Sequence, residues 1–445
     1  MRRVLIANRG EIAVRIIRAC RELNLETVAV YSEADAASLH VRLADEAVAI
    51  GPPPALRSYL NIPRLIQVAI DTGCDAVHPG YGFLSENPAF AQVCEAMGIT
   101  FVGPSSATLR TLGDKIAARE LAVRAGVPVV PGSSRPLASL EEACHLAREL
   151  GYPVLLKALA GGGGRGIRLV RDTESLRRRW ELAAEEARNA FGSPELYLEK
   201  YLEHPRHIEI QVLADAYGNL VHLGERDCSL QRRRQKVLEE CPSPALDEGM
   251  RRTLARAALK IMRAARYRGA GTVEFLVAGN AYYFLEVNAR IQVEHPVTEV
   301  VWGVDLVQEQ LRVAAGERLR FSQTDLRPRG WALEMRICAE DPDQDFLPCP
   351  GSITAYRPPG GPGVRVDDGV YAGWTIPPHY DSLLAKLTVW GRDRQEAVTR
   401  ARRALQEYVI EGVRTTIPLH LRLLDDPIFR RGETSTVYLD RGADP

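Results

Sequence analysis

Residues 271–290 read GTVEFLVAGNAYYFLEVNAR, two alternating runs joined at a glycine-asparagine pair, and they decide the fold of the surrounding chain. The alternation and the turn residues predict two antiparallel strands. A three-residue loop, 279–281, would place Glu274 and Glu286 directly opposite each other on one face. Two carboxylates in such proximity repel, so a cation between them is expected, and Asn288 offers a third oxygen on the same face. Oxygen ligands favour magnesium over zinc, although a pair of solvated strand carboxylates would give the same pattern.

The residues that follow continue the alternation. Arg290, Gln292 and Glu294 extend the period of two beyond Asn288, so EVNARIQVEH presents acid, amide, base, amide and acid in order. A surface strand could alternate in this way for solubility, but it would not need the basic residue Arg290 close to Glu294. The upstream run GERDCSLQRRRQK, residues 224–236, is interpreted as one loop-like charged segment. Such a run is usually a solvated face, yet near a magnesium-nucleotide site it would neutralise a transferring phosphoryl group.

Lysine is rare in this chain. Six of the 57 basic residues are lysine, so these positions are the first place to search for chemistry that a planar guanidinium cannot perform. Lys260 lies in a helical run and fits a solvated helix face. Four others lie beside glycine runs, strand ends or polar clusters. The six are Lys115, Lys157, Lys200, Lys236, Lys260 and Lys386.

A glycine run lies between two predicted strands. GGGGRG at 161–166 separates VLLKAL at 154–159 from IRLV at 167–170. Because it does not lead from a strand into a helix, it is not the phosphate loop of the common NTPases. It predicts a hairpin tip whose backbone amides can approach a phosphate chain, with Lys157 and Arg165 at its two ends. The alternative is a flexible linker.

The N-terminal segment alternates strands and helices. VLIAN at 4–8, a helix from Glu11 to Asn24, TVAVYS at 27–32, AVHP at 76–79 and ITFVG at 99–103 predict a parallel sheet with crossover helices. This order of strands and helices predicts a Rossmann-like shape. The first turn, NRGEIA, has one glycine and not the three of a dinucleotide-binding fingerprint, so bound NAD is not expected. Residues 204–316 are interpreted as an antiparallel sheet. The segment from Trp331 onward mixes strands with helices near 393–408 and 415–425.

Composition excludes several classes of protein. The 445 residues are 46% hydrophobic and 26% charged with zero formal net charge, which gives no electrostatic reason for a nucleic-acid or membrane partner. The N-terminus lacks a signal-peptide core, and no window approaches the roughly 18 apolar residues of a membrane span, so a cytoplasmic location is expected. Eight cysteines without a CxxC pair argue against a zinc site or a disulfide framework.

Several long motifs in order resemble the biotin carboxylases of the ATP-grasp superfamily. They are HPGYGFLSEN at 78–87, KALAGGGGRGI at 157–167, LYLEKYL at 196–202, EVNARIQVEHPVTE at 286–299 and HYDSLLAKL at 379–387. The resemblance implies an α/β (α+β) ATP-grasp fold in three domains. These are an N-terminal Rossmann-like domain (1–113), an ATP-grasp domain (114–316) with a small mobile lid at about 130–203, and a C-terminal mixed α/β domain (331–440).

The resemblance also implies roles for individual residues. ATP would be bound by Lys115, Lys157, Gly161, Gly162, Gly163, Gly164, Glu199, Lys200, Tyr201, Leu202, His207, Gln231 and Arg234. Two Mg²⁺ (or Mn²⁺) ions would be held by Glu274, Glu286 and Asn288. Bicarbonate and biotin would be bound by Lys236, Arg290, Val293 and Arg336, with Glu294 as the general base. Two departures from the family pattern are Arg234 at a usual histidine and Cys338 at a usual asparagine.

The implied reaction is that of an ATP-dependent ligase. Bicarbonate would react with ATP to give carboxyphosphate, and biotin covalently held on a separate carrier protein would be carboxylated. Because the chain contains no biotinylation signal, a biotin carboxyl carrier protein and carboxyltransferase subunits are expected as partners, and a homodimer is expected by analogy. Acetyl-CoA carboxylase, in fatty acid biosynthesis, is the favoured parent assembly. The alternatives are a pyruvate or other acyl-CoA carboxylase, a carboxylate-amine ligase of the same superfamily, or a nucleotide-binding protein that senses ATP without turnover.

Overall fold

The computed structural model describes residues 1–159 and 166–440, and the N-terminal part of these residues forms a parallel sheet with helices between its strands. The strands are β1 (Arg3–Ile6), β2 (Glu26–Ser32), β3 (Glu46–Gly51), β4 (Ala76–His78) and β5 (Thr100–Phe101), in spatial order β3-β2-β1-β4-β5. The helices are α1 (Gly10–Glu22), α2 (Leu39–Leu43), α3 (Ile62–Asp71), α4 (Pro88–Ala96), α5 (Ser106–Gly113) and α6 (Lys115–Arg124). All registered strand pairs are parallel, so the predicted Rossmann-like arrangement is confirmed.

A small antiparallel sheet follows. Its strands are β6 (Val154–Ala158), β7 (Ile167–Val170) and β8 (Leu196–Lys200), in order β7-β6-β8, and they pack against α7 (Leu140–Leu150) and α8 (Thr173–Phe191). Lys157 pairs with Ile167, which agrees with the predicted hairpin across the glycine run. Gly161, Gly162, Gly163, Gly164 and Arg165 themselves lie outside the described residues.

One large antiparallel sheet carries most of the remaining chain. It contains β9 (Arg206–Ala214), β10 (Leu220–Arg232), β11 (Gln235–Cys241), β12 (Gly269–Ala278), β13 (Ala281–Asn288), β14 (Trp331–Cys338), β18 (Val364–Asp368) and β19 (Leu383–Gly391), in order β13-β12-β9-β10-β11-β14-β19-β18. The antiparallel strands expected within 204–316 therefore continue into the C-terminal segment, because β11 pairs with β14.

Helices and two small sheets complete the described residues. The helices are α9 (Glu248–Ala264), α10 (His295–Trp302), α11 (Leu306–Ala314), α12 (Arg394–Glu407), α13 (Ile417–Asp425) and α14 (Pro427–Arg431). The short strand pairs are β15 (Glu340–Asp341) with β16 (Leu347–Pro348), and β17 (Ala355–Arg357) with β20 (Val409–Glu411). Among the described residues, none of the helices combines the length and the apolar character that crossing a bilayer requires.

The charged run 224–236 is not a loop, and that prediction was wrong. It lies mostly in β10 and β11, which are joined by a tight turn at Arg233 and Arg234, with φ of 47° and 65°. A dense run of charge can occupy the inside of a sheet only where opposite charges and hydrogen-bond partners satisfy it. Arg226 shows this most clearly, because it is fully buried and its guanidinium contacts four side chains.

The opposition of Glu274 and Glu286 is confirmed, but the route differs from the prediction. Ala278 pairs with Ala281, so the turn contains two residues rather than three. The register then shifts between Glu274 and Phe275, where one extra residue, Leu285, bulges out of β13. A bulge moves the following side chains to the opposite face, and this restores the alignment that a two-residue turn alone would lose.

Candidate functional site

A cavity of about 1290 Å³ lies between the three sheets. Every described residue that the resemblance assigned to ATP, metal, bicarbonate or biotin lines it. These are Lys115, Lys157, Glu199, Lys200, Tyr201, Leu202, His207, Gln231, Arg234, Lys236, Glu274, Glu286, Asn288, Arg290, Val293, Glu294 and Arg336. Cys338 also lines the cavity. The fold therefore brings residues from distant parts of the chain around one space large enough for a nucleotide and a second ligand.

Glu294 is held between two cations. Its carboxylate is fully buried and accepts hydrogen bonds from Lys236 Nζ at 2.6 Å and from Arg336 Nη2 at 2.8 Å. Burial alone would raise the pKa of Glu294, but the positive charges of Lys236 and Arg336 outweigh it and lower that pKa. The carboxylate is therefore ionised at neutral pH and can accept a proton from a ligand in the cavity.

Glu274 and Glu286 present oxygens beside this cluster. The Glu274 carboxylate accepts hydrogen bonds from Asn288 at 2.8 Å and from Lys236 at 3.1 Å, and it lies 2.9 Å from His207 Nε2. Although burial would raise the pKa of Glu274, the charges of Lys236 and His207 lower it. The charges of His207 and Lys115 act to lower the pKa of Glu286, but desolvation by the surrounding protein and repulsion from Glu274 and Glu86 outweigh them and raise that pKa to about 7.

This oxygen set fits a hard divalent cation. Two carboxylates and an amide oxygen are ligands that Mg²⁺ prefers, and the raised pKa of Glu286 reflects negative charge that a cation would stabilise. Ligand atoms of His207, Glu209 and Glu274 also lie within 4.8 Å of one another. In that group the Lys236 ammonium already contacts both Glu209 and Glu274. In the pair of Glu274 and Glu286 it contacts only Glu274, which makes this pair the better place for a metal.

The residues assigned to the nucleotide lie along the small sheet and its junction with the large one. Lys157 on β6 forms an ion pair with Glu199 on β8, and Lys115 begins α6, whose N-cap is Asp114. The Lys200 ammonium instead donates a hydrogen bond to the carbonyl of Gly151 at 2.8 Å, and this contact connects β8 to the end of α7. The remaining assigned residues are Tyr201 and Leu202 after β8, His207 and Gln231 in mutual contact at 2.7 Å, and Arg234 at the β10–β11 turn.

A layer of buried polar groups supports the site, and sequence reasoning missed it. Arg226 contacts Glu209, Gln211, Thr272 and Thr298, while Glu209 also accepts from Lys236 at 2.7 Å. One signal was present in HIEIQVLAD, where polar His207, Glu209 and Gln211 alternate with aliphatic residues. A strand that is buried on both faces can carry such polar side chains only if they meet partners.

Further missed residues fix the neighbours of Glu294. Glu86 accepts from the amide of Ala289 and from Arg290 Nε, both at 2.8 Å. Glu239 accepts from Arg336 Nε at 2.7 Å. Glu86 lies within the quoted motif HPGYGFLSEN, but no feature of that motif indicates which basic residue it meets.

The cysteines are free thiols. All eight fall in the described ranges, none forms a disulfide, and all except Cys338 and Cys349 are buried. Five of the buried cysteines lie in hydrophobic core clusters: Cys20, Cys74, Cys94, Cys144 and Cys241.

Comparison with known proteins agrees with the motif resemblance. Three family models match in succession: "Biotin carboxylase, N-terminal domain" at residues 1–109, "Carbamoyl-phosphate synthase L chain, ATP binding domain" at 114–322, and "Biotin carboxylase C-terminal domain" at 334–441. The chain is 57% identical to Biotin carboxylase 1 of Bacillus subtilis, over 99% of this chain and 98% of that protein. It is 54% identical to a pyruvate carboxylase subunit of Methanothermobacter thermautotrophicus, over 99% of this chain and 91% of that one.

Solved structures superpose closely. The biotin carboxylase domain dimer of 2-oxoglutarate carboxylase from Hydrogenobacter thermophilus, in complex with MgADP, ADP and bicarbonate, gives a TM-score of 0.95 at 52% identity, covering 99% of this chain and 97% of that one. A biotin carboxylase–β-γ-ATP complex from Campylobacter jejuni gives 0.96 at 46% identity, covering 99% and 98%.

Proposed function

Because this chain belongs to the biotin carboxylase family of ATP-dependent ligases, we propose that it carboxylates biotin on a separate carrier protein, with bicarbonate as the carbon source. The observation that carries the assignment of roles is the buried Glu294 carboxylate between Lys236 and Arg336. A base that is kept ionised by cations lies beside groups that can bind the anion it activates.

The first step forms carboxyphosphate. Glu294 takes the proton of bicarbonate, and a bicarbonate oxygen attacks the γ-phosphorus of ATP while the bond to the ADP oxygen breaks. Lys236, Arg290 and the backbone of Val293 bind the bicarbonate. Because negative charge builds up on the transferring phosphoryl group, nearby cations lower the barrier.

The nucleotide is held by the assigned cavity residues. Lys115, Lys157 and the glycines 161–164 are assigned to its phosphates. The adenine lies along Glu199, Lys200, Tyr201 and Leu202, and the ribose faces His207 and Gln231, with Arg234 nearby. Support comes from the common cavity that the described members of this set line.

Two Mg²⁺ (or Mn²⁺) ions are assigned to Glu274, Glu286 and Asn288. When bound, they would screen the charge of the ATP phosphates. The all-oxygen donor set and the raised pKa of Glu286 support this assignment.

The second step transfers the carboxyl group. Carboxyphosphate breaks down to carbon dioxide and phosphate, and the phosphate takes the proton from the ureido nitrogen of biotin. Arg336 donates to the ureido oxygen and stabilises the negative charge that develops there. The ureido nitrogen then attacks carbon dioxide, which gives carboxybiotin.

The assembly is proposed from the resemblance and the relatives. The carrier and carboxyltransferase would be separate subunits, the enzyme a homodimer, and the parent complex an acetyl-CoA carboxylase. The pyruvate carboxylase relative from Methanothermobacter thermautotrophicus makes a 2-oxo acid the alternative acceptor. The division into domains at 1–113, 114–316 and 331–440 is supported by the three family-model matches.

Steady-state ATP hydrolysis tests the function. We expect turnover to depend on bicarbonate and to be accelerated by free biotin, whereas turnover indifferent to bicarbonate would point to a carboxylate-amine ligase. Glu294→Gln should bind ATP normally and lose about 10²–10⁴-fold in kcat. The matched control is Glu225→Gln, because Glu225 is a buried acid on β10 that contacts Arg251 and does not line the cavity. Full turnover by Glu294→Gln would show that the assigned base is wrong.

A separate experiment addresses the acceptor. Tagged enzyme purified from its own cells should retain the carrier and the transferase, and the complex should then carboxylate acetyl-CoA. Carboxylation of pyruvate or 2-oxoglutarate instead would replace the acetyl-CoA assignment without affecting the biotin step.

A further inference from the structure

The sixth lysine, Lys386, lies in the middle of β19 and is fully buried. Its ammonium donates to the carbonyl of Val293 at 2.9 Å and lies 3.2 Å from Glu11 Oε1. The Tyr81 hydroxyl donates to the same Glu11 oxygen. One side chain of the large sheet therefore joins the start of α1 to the segment immediately before Glu294.

Lys386 acts beside Arg336. The two residues are directly opposite on β19 and β14, and opposite residues on adjacent antiparallel strands project from the same face. Arg336 contacts the Glu294 side chain at 2.8 Å, and Lys386 contacts the backbone of Val293 at 2.9 Å. Strands β14 and β19 therefore contact two consecutive residues, Glu294 through its carboxylate and Val293 through its carbonyl.

The charges around Lys386 leave Glu11 as its ion-pair partner among the described residues. Asp367 lies opposite Lys386 on β18, but its carboxylate is bonded to Arg365 at 2.7 and 3.1 Å. Glu11 is itself buried, so the Lys386 ammonium next to the Val293 carbonyl remains charged while the Glu11 carboxylate balances that charge. A hydrogen bond from a charged donor is shorter and stronger than one from a neutral donor, so this contact holds the Val293 carbonyl in place.

We propose that Lys386 is a positioning residue for bicarbonate, which holds the Val293–Glu294 peptide so that the bicarbonate-binding segment and the base keep their orientation. The inference rests on the proposed function and deepens it. In a trans peptide the amide points away from the carbonyl, so fixing the Val293 carbonyl also fixes the direction of the Glu294 amide. A lysine suits this place because its compact head can serve one carbonyl and one carboxylate at once.

The test removes the donor without stranding a charge. Lys386→Met alone would leave the buried Glu11 carboxylate unpaired, so the test variant combines Lys386→Met with Glu11→Gln. The matched control is Glu11→Gln alone, which keeps the lysine on Val293. We expect the KM for bicarbonate to be about tenfold higher in the double variant than in the control, as loss of a charge-assisted hydrogen bond implies. The KM for ATP should stay within about twofold of the control, because Lys386 touches none of the nucleotide residues.

Backbone hydrogen exchange gives a second readout that does not need activity. The backbone amides of Val293, Glu294 and His295 should exchange faster in the double variant than in Glu11→Gln. Equal bicarbonate KM values and equal exchange in the two variants would overturn the inference, as would a parallel rise in the KM for ATP and for bicarbonate. Absence of bicarbonate-dependent ATP hydrolysis in the unmodified enzyme would instead count against the proposed function itself.

Discussion

The contact between Gly369 and the first turn of α1 allows a sharp test of how the C-terminal strands hold the N-terminal helix. A methyl group added at Gly369 would lie 2.7 Å from the amide nitrogen of Glu11 and 2.9 Å from the carbonyl carbon of Gly10. Both neighbours are backbone atoms, so they cannot move aside by a side-chain rotation. The φ of Gly369 is not in the left-handed region, so alanine meets no intrinsic backbone obstacle there.

The magnitude follows from these distances. Ordinary contact between heavy atoms begins at about 3.5 Å, so the two backbones must separate by about 0.8 Å in Gly369→Ala. Overpacking of this kind costs roughly 1–3 kcal/mol. Because the amide that moves belongs to Glu11, the 3.2 Å ion pair with Lys386 should lengthen as well.

Gly360→Ala is the matched control, since a methyl group there meets nothing within 4 Å. In urea unfolding followed by tryptophan fluorescence, we expect Gly369→Ala to lower the midpoint by about 0.3–1 M, taking an m-value of about 3 kcal/mol per molar. Gly360→Ala should remain within about 1 kcal/mol of the unmodified protein. Equal midpoints for the two variants would refute the close approach of Gly369 to α1.

Two further expectations concern buried polar groups. Arg226→Met removes four hydrogen bonds and one charge from beside buried Glu209, so the free energy of unfolding should fall by about 3–5 kcal/mol; a variant with an unchanged urea midpoint would contradict this. Burial lowers the pKa of His40, His78 and His420 to about 4, 3 and 4, whereas in the unfolded chain they take up protons near pH 6.5. Stability should therefore be complete above that pH and decrease by roughly 3 kcal/mol between about pH 6 and pH 5; midpoints that do not change over this range would exclude the buried neutral state.

The local pattern of the chain predicted the acidic hairpin well, because period-two alternation and a glycine turn are properties of neighbouring residues. It did not predict the two-residue turn or the bulge at Leu285. A three-residue loop and a two-residue turn with one bulge place Glu274 and Glu286 in the same relation. The local pattern does not distinguish them, and it also does not specify the long-range pairing of β12 with β9.

The same reason explains the error at 224–236. Charge density predicts exposure when a segment is considered alone, since an isolated buried guanidinium is prohibitively costly. Arg226 is buried because it meets Glu209 and Gln211 of the preceding strand β9, and Thr272 and Thr298 of segments that come later in the chain. No property of residues 224–236 themselves specifies those partners.

The base site shows why the chain must be considered as a whole. Glu294 lies just before α10, yet one of its cations, Lys236, is on β11 and the other, Arg336, is on β14. Those strands pair with each other, although the expected domain boundary between 316 and 331 falls between them in sequence. The large sheet therefore crosses that boundary, and the segment after Trp331 is part of the site rather than an accessory to it. Lys386 on β19 adds a contact to Val293. The orientation of the base therefore depends on one strand before the boundary, β11, and on two strands after it, β14 and β19.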